Sequence, residues 1–471
     1  MSKLIFPKDF MWGAAMAAEQ AEGKGTTKKG RTKWDLHFEK NPEDFFDGVG
    51  PELTSDFLRH YKEDIKQWKE VAGINSIRLG FSWVRLFPDG KTLNKEAVKV
   101  YHDILDELKK CEIKVVMTLF HFDMPEWAII KGGWADMNTV NKYVDYCNFI
   151  FEEYDSKVDM FATMNEPAVP IFAGYLETYH WPKTYDPQLA FNAGNRMILA
   201  HARVVNLFNS KKRSAKIGVV INVSPTHPKD KNNAEDVKAA AKFHLIHNLW
   251  MLDPMLNGEF PEGLKEAFAE LGAKEFILTD DEVKEVSKVK LDFVGTNYYM
   301  PSRFKKYEGE EVRTDLEKFA TPWQDPKARM NVHRGWEIFP EDIYNTAMLI
   351  KNRYHNLPFF ISENGMGVQN EERFRGSNGE IDDQYRIAFV KEHLEWCHKA
   401  IQEGANLFGY HMWAIMDNWS WGNAYKNRYG FFEVDLKTQE RKPKASAHWY
   451  KKAIDENGFD SNYTKLDELE N

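Results

Sequence analysis

Two glutamates carry the strongest chemical signal in the chain. Glu166 closes the segment MFATMNEP (160–167), and Glu363 lies in FFISENG (359–365). Each follows an apolar run of strand length, and the two lie 197 positions apart. A carboxylate at the end of a buried strand is costly unless it is paired or put to use. Two carboxylates that face each other split their proton affinities, because charge on one disfavours ionisation of the other. One then stays ionised as a nucleophile while the other keeps its proton as a general acid. Cleavage of a glycosidic bond needs that division of labour, and carboxyls about 5–5.5 Å apart give retention of anomeric configuration through a covalent intermediate. One lone Glu in such a place is more often a helix cap or half of a structural ion pair. Two at corresponding strand ends make that reading hard to hold.

Strands must bring these residues together. Apolar, β-rich runs occur at 11–18, 76–83, 114–122, 160–167, 216–223, 292–299, 359–365 and 407–414. Amphipathic stretches lie between them, near 56–72, 95–110, 138–154, 187–209, 233–248, 340–353, 382–402 and 444–456. In YKEDIKQWKEVAG, for example, Ile65, Trp68 and Val71 fall at helical spacing and the pattern stops at Gly73. Eight strand–helix alternations predict a parallel sheet, and eight is the number that closes a barrel. The expected fold is therefore α/β, a single-domain (β/α)8 TIM barrel with long rim loops, spanning 1–471. Polar residues collect at the strand C-terminal ends, as HFD (121–123), NEP (165–167), NYY (297–299) and SENG (362–365). That rim is where such barrels do chemistry. The excess over about 250 residues belongs in rim loops. The long candidates are 19–55, 167–187, 249–290, 301–338 and 366–380.

Composition narrows the function class. The chain has 471 residues, 43% hydrophobic, with 15 Trp, 19 Tyr and 32 Phe, too aromatic for a disordered protein. A net charge of -9 leaves no overall positive field for nucleic acid or an anionic membrane. Cys111, Cys147 and Cys397 are far apart, which suits a reducing compartment and excludes a CxxC metal site. No apolar run approaches the roughly 20 residues of a membrane span. FMWGAAMAA (10–18) follows Pro7, Lys8 and Asp9 without a cleavage pattern, and reads as an interior strand of a cytoplasmic protein rather than a leader. His244 and His247 lack acidic or cysteine company and read as structural.

The motifs TMNEP (163–167), ISENG (361–365) and FPKDFMWGAAMAAEQAEG (6–23) together resemble glycoside hydrolase family 1. The resemblance runs end to end, through NYY and RYGFFEVD to SAHWYKK (446–452). It implies a retaining β-glycosidase without cofactor or metal. It casts Glu166 as acid/base and Glu363 as nucleophile. Asn165 would hold the sugar 2-hydroxyl. Arg78 would keep Glu363 ionised, and Tyr299, with Asn297 beside it, would donate to Glu363. Gln20 and His121 would bind hydroxyls on the far side of the ring, and Trp413 would form an apolar platform. Arg78 as an ordinary ion pair, Trp413 as barrel filling and His121 as a core histidine are the plain alternatives.

Substrate choice turns on MDNWSWGNAYKNRYG (416–430). Common β-glucosidases of the family read like DNFEW here, with a Glu gripping hydroxyls 4 and 6. This chain has Ser420. The family's 6-phospho-β-glycosidases resemble it, with Ser followed by a Lys and a Tyr that hold the phosphate. A Glu beside a phosphate is repelled by about 4 kcal/mol per charge pair at 4 Å and effective dielectric 20. Tyr429 fits the pattern, but Asn427 stands where the Lys is expected, and adjacent Lys426 is the substitute. Ser420 capping its own backbone is the plain alternative. Phe122 after His121 also resembles phospho-active members. Trp421 resembles phospho-β-galactosidases and leaves the epimer open, while FFDGVGPELTSDF (45–57) resembles the gluco group. The expected activity is hydrolysis of a small phosphorylated β-glucoside. An unphosphorylated β-glucosidase and a sugar-binding pseudoenzyme are the rivals. Oligomeric state, a homo-oligomer included, is left open. Tyr179 and Trp181 are candidates to border the aglycone.

Overall fold

The computed structural model describes residues 3–468. Eight strands close a parallel barrel: β1 (Met11–Ala15), β2 (Ser76–Gly80), β3 (Lys114–Thr118), β4 (Met160–Asn165), β5 (Lys216–Asn222), β6 (Phe293–Asn297), β7 (Phe359–Asn364) and β8 (Leu407–Trp413). Each pairs with its neighbour in sequence, and β8 returns to β1. Helices α1 (Phe57–Glu70), α2 (Lys95–Lys110), α3 (Met137–Tyr154), α4 (Pro187–Asn209), α5 (Ala234–Phe243), α6 (Glu341–Arg353), α7 (Gln384–Gln402) and α8 (Ala445–Asp455) follow the strands in alternation. Their starts are chemically marked. Asn94, Asp136, Asp186 and Asn233 each accept a backbone N–H at a helix N-terminus, worth about 1 kcal/mol apiece.

Strand alternation sorts the core into two layers. Outward residues such as Ile77, Leu79, Val115, Phe161, Ile217, Val219 and Ile361 join one large cluster with the helices. Inward residues Met11, Val116, Met160, Ala162, Val220, Phe293 and Phe360 make an apolar plug at the barrel floor. Above the plug the interior turns polar: Ser76 Oγ meets His411 Nε2 at 2.8 Å. Two residues along β2, on the same face, Arg78 is fully buried. Gly13 leaves the room, since a Cβ there would come within 2.5 Å of both Ser76 and His411.

The strands end earlier than their apolar runs. Strand geometry stops at Thr118 and Asn165, rather than at 122 and 167; Glu166 (φ 45°) turns left-handed directly after Asn165, and Phe122 (φ 66°) does so four residues beyond Thr118. The rim loops carry more structure than expected. After α5 the helix continues through a π turn (His244–Leu249) into Trp250–Asn257, and Leu264–Glu270 and Asp280–Val286 are helical. Within 301–338, Ser302–Lys305 joins Thr226–Pro228 and Thr321–Pro322 in a small sheet.

Candidate active site

Two strands break their alternation where the chemistry sits. The β4–β5 ladder shifts register between Ala162 and Asn165. Thr163 and Met164 both join the outer layer: Thr163 Oγ1 meets His201 Nδ1 at 2.7 Å, and Met164 packs in the large cluster. Asn165 and Glu166 are thereby turned to the interior. The β7–β6 ladder shifts between Ile361 and Glu363, re-aiming Glu363 in the same way. Such irregularities bend a strand and redirect its side chains.

The two glutamates line one cavity of about 300 Å³ at the C-terminal rim. Both are nearly enclosed, Glu166 at 9% and Glu363 at 4% exposure. Glu363 has the cation: Arg78 donates Nη2–H to its Oε1, and Tyr299 donates its hydroxyl to Oε2 at 2.7 Å. Glu166 has no ion-pair partner among the described residues. It accepts from Asn297 Nδ2 at 2.8 Å. Burial, reinforced by the charge on Glu363, pushes its pKa up to about 8. Burial also pushes Glu363 upward, while Arg78, Tyr299 and Asn297 draw it back. The shared proton therefore belongs on Glu166 near neutral pH.

A continuous network fixes this polarity. Asn165 Oδ1 accepts from Arg78 Nη1 (2.8 Å) and from Asn297 Nδ2 (3.1 Å). Asn297 Oδ1 accepts from Ser362 at 2.6 Å. With its oxygen taken, Asn165 uses its amide nitrogen toward His121 Nε2 at 3.1 Å. Burial and the Arg78 charge hold His121 well below its usual pKa, so the ring is neutral. Nε2 accepts, the ring proton is on Nδ1, and Nδ1 has no partner among the described residues. Arg78 and Asn165 are both fully buried behind the lining. Asn165, expected against the sugar 2-hydroxyl, joins Arg78, Asn297 and His121 in this network.

Other expected residues reach the lining. Gln20 spends Nε2 on Trp419 O (2.8 Å), and its Oε1 has no partner among the described residues. Trp413 ends β8 with its ring 5.9 Å from that of His121. Trp421 stacks on Trp34 at 4.4 Å. Its loop is clamped at both ends by Asp417, whose Oδ1 accepts from Gly430 N (2.9 Å) and Lys444 Nζ (3.0 Å). Ser420 lines the cavity and its hydroxyl makes no capping bond, so the plain capping role is not realised. Tyr429 lines it as well, its ring lying over Gly367, where a Cβ would come within 2.4 Å.

Lys426 is a correction. It is exposed, its Nζ sits 5.6 Å over the Phe46 ring, and it does not line the cavity. Asn427 is the buried neighbour, donating Nδ2 to His333 O at 3.1 Å. Arg428 is structural, set against Asp417 at 3.7 Å and over Tyr425. Tyr179 lines the cavity; Trp181 packs toward His37 instead. His244 and His247 are occupied with Asn248. Sequence reasoning missed Arg334, which lines the cavity, donates Nε–H to Tyr429 Oη at 3.1 Å and lies 4.3 Å over Trp336. It sits in a 38-residue loop with no strand pattern to place it; its only signal was a cation beside the aromatic of RGWEIFP.

A closed (β/α)8 barrel with two acidic groups of unequal proton affinity at its C-terminal mouth defines a glycoside-cleaving enzyme. The model of Glycosyl hydrolase family 1 matches residues 2–459, and the chain belongs to that family. It is 42% identical to the 6-phospho-beta-glucosidase GmuD of Bacillus subtilis, over 96% of this chain and 98% of that protein. It is 36% identical to a 6-phospho-beta-galactosidase of Staphylococcus haemolyticus, over 96% and 98%. The family 1 b-glucosidase of Thermotoga maritima superposes with a TM-score of 0.89 at 31% identity, covering 98% of this chain and 100% of that one. The chain is a glycoside hydrolase that acts on a small sugar substrate. No helix among the described residues is long and apolar enough to cross a membrane.

Proposed function

We propose that the enzyme is a retaining 6-phospho-β-glucosidase. Glu363, held ionised by Arg78 and Tyr299, attacks the anomeric carbon. Glu166 protonates the glycosidic oxygen as the bond to the leaving group breaks. A water then gives its proton to Glu166, now a base, and its oxygen displaces Glu363 from the sugar. Gln20 Oε1 and His121 Nδ1–H are free to meet ring hydroxyls as acceptor and donor. Trp413 supplies an apolar wall. Asn165, Asn297 and Arg78 act as positioning residues for the carboxyls.

The observation that carries the phosphate reading is Ser420. An unengaged hydroxyl, with Tyr429 in the same cavity, stands where a carboxylate would repel an anion. The 42% identity to a protein named as a 6-phospho-beta-glucosidase supports it. A phosphorylated glycoside does not pass an apolar bilayer, so we place the enzyme in the cytoplasm, where its three free cysteines would stay reduced.

The test is hydrolysis of p-nitrophenyl β-glucoside with and without a 6-phosphate. The expected result is a kcat/KM at least about 100-fold higher for the phosphorylated form, the scale of two charge-assisted contacts. Equal or faster cleavage of the plain glucoside would overturn the reading. A second reading, 6-phospho-β-galactosidase, rests on Trp421 in the lining. The galactoside 6-phosphate, run alongside, separates the epimers.

A further inference from the structure

We propose that Arg334 supplies the cationic contact for the sugar phosphate, in place of the lysine that position 427 lacks. The inference rests on the 6-phosphate reading above. Among the described residues Arg334 is in no ion pair, although it lines the cavity that holds Glu166 and Glu363. Two buried cations are spoken for, Arg78 by Glu363 and Lys444 by Glu371 and Asp417, while Lys33 lies over the Trp34 and Phe122 rings at 4.8 and 5.9 Å. The acid three positions on, Glu337, is taken by Arg303 through two bonds of 2.7 Å.

Arg334 is nevertheless held in place. Its guanidinium carbon lies 4.3 Å over the Trp336 ring, and its Nε–H is fixed on Tyr429 Oη at 3.1 Å. One edge of the fork is thus used for aiming, and the terminal nitrogens are left over. Planar, bidentate recognition of a phosphate is what a guanidinium does best. Tyr429 Oη accepts from Arg334, so its own proton is free to donate in another direction. With the Ser420 hydroxyl on the same lining, three donors are available to one anion.

Asn427 explains why the cation sits on a different loop. Its Nδ2 donates to His333 O at 3.1 Å, and Gln369 Nε2 donates to the same oxygen at 2.8 Å. Asn331 Nδ2 ties the preceding turn to Gly367 O at 3.0 Å. These bonds pin the chain beside Arg334 against the mouth of the barrel. A lysine at 427 would set a second positive charge near the guanidinium, and like charges at short range repel. Asparagine at 427 and arginine at 334 therefore read as one exchange. The positive charge moves from the loop after β8 to the loop after β6, while Ser420 and Tyr429 stay.

The experiment measures kcat/KM for p-nitrophenyl β-glucoside 6-phosphate and for the plain glucoside in the wild type, Arg334→Gln, and the double variant Arg334→Gln/Asn427→Lys. Arg334→Gln should lower the ratio of the two values by about 10- to 100-fold, mainly through KM, the range expected for lost bonds to a charged group. The double variant, with the cation restored at 427, should recover most of that ratio. Equal loss on both substrates would place Arg334 on the leaving-group side or in the fold, and would overturn the inference, as would an unchanged ratio. A wild type with no preference for the phosphate defeats the 6-phosphate reading itself. A wild type that prefers it, beside an Arg334→Gln that prefers it equally, defeats only the role of Arg334.

Discussion

At the inner end of the cavity, Arg78, Asn165, Asn297, Glu166 and Glu363 come from four strands or the turns directly after them and are bonded to one another in one network. At the outer end, Ser420, Trp421, Tyr429 and Arg334 come from two loops and are anchored mostly to loop residues. The inner group is held by barrel closure, so no member moves without disturbing strands on both sides. The outer group is held by clamps such as Asp417, which grips Gly430 and Lys444 but leaves the residues between them free to differ. The contrast assigns different work to the two ends. On the proposed function, chemistry common to any glycoside is the expected work of the network, and choice among glycosides that of the loops.

The largest effect should come from the inner end. Glu363→Gly removes the nucleophile, and kcat should fall by about 10⁴- to 10⁶-fold, the scale seen when a covalent catalyst loses its nucleophile. The loss should be similar for phosphorylated and plain nitrophenyl glucosides, and azide, a small anion able to occupy the vacated space, should restore part of it. A loss confined to one substrate would break the division between the two ends. An outer residue should behave in the opposite manner. Ser420→Glu places a carboxylate against the phosphate, at a cost of about 4 kcal/mol for one charge pair at 4 Å. Preference for the phosphorylated glucoside should fall about 10³-fold by the same arithmetic, read as the ratio of kcat/KM values. If both substrates suffer alike, the loop is shaping the whole pocket rather than selecting the substrate.

The same contrast governs what could be read from the sequence. Eight strands and their helices were legible because apolar runs and 3.6-residue patterns are local signals. Glu166 and Glu363 were legible because each sits at or near a strand end, where barrel geometry sends side chains to a common rim, whereas Arg78, in the middle of β2, and Asn297 were reached only through the family resemblance. What alternation alone did not foresee is the pair of register shifts that turn Asn165 and Glu363 inward. By strict period two, Met164 would have pointed in. Lys426 was misplaced for a different reason. Adjacent loop residues point in unrelated directions, and the bond from Asn427 to His333 O turned 427 inward and left 426 over Phe46. Arg334 escaped because it meets Tyr429 across 95 positions of chain, a contact no local pattern announces.

The proton on Glu166 is the finest test of the inner network. With its pKa pushed up to about 8, Glu166 is the acid whose ionisation should end activity on the alkaline side, while protonation of Glu363 ends it on the acid side. Glu166→Gln cannot lose a proton, so the alkaline limb of kcat/KM should vanish and the acid limb should remain. Nitrophenyl leaving groups need little protonation, which keeps the variant's residual rate measurable. Stability should change in step. A carboxyl whose pKa is raised on folding binds its proton more tightly in the native state. Its contribution is full below the unfolded value near 4.5 and is lost as pH rises toward 8. Glutamine keeps the bond from Asn297 without that loss. Glu166→Gln should therefore raise Tm by a few degrees at pH 8 and hardly at all at pH 5, as followed by calorimetry. A gain independent of pH would mean that Glu166 is not the group storing the proton, and that the unequal pair is arranged the other way round.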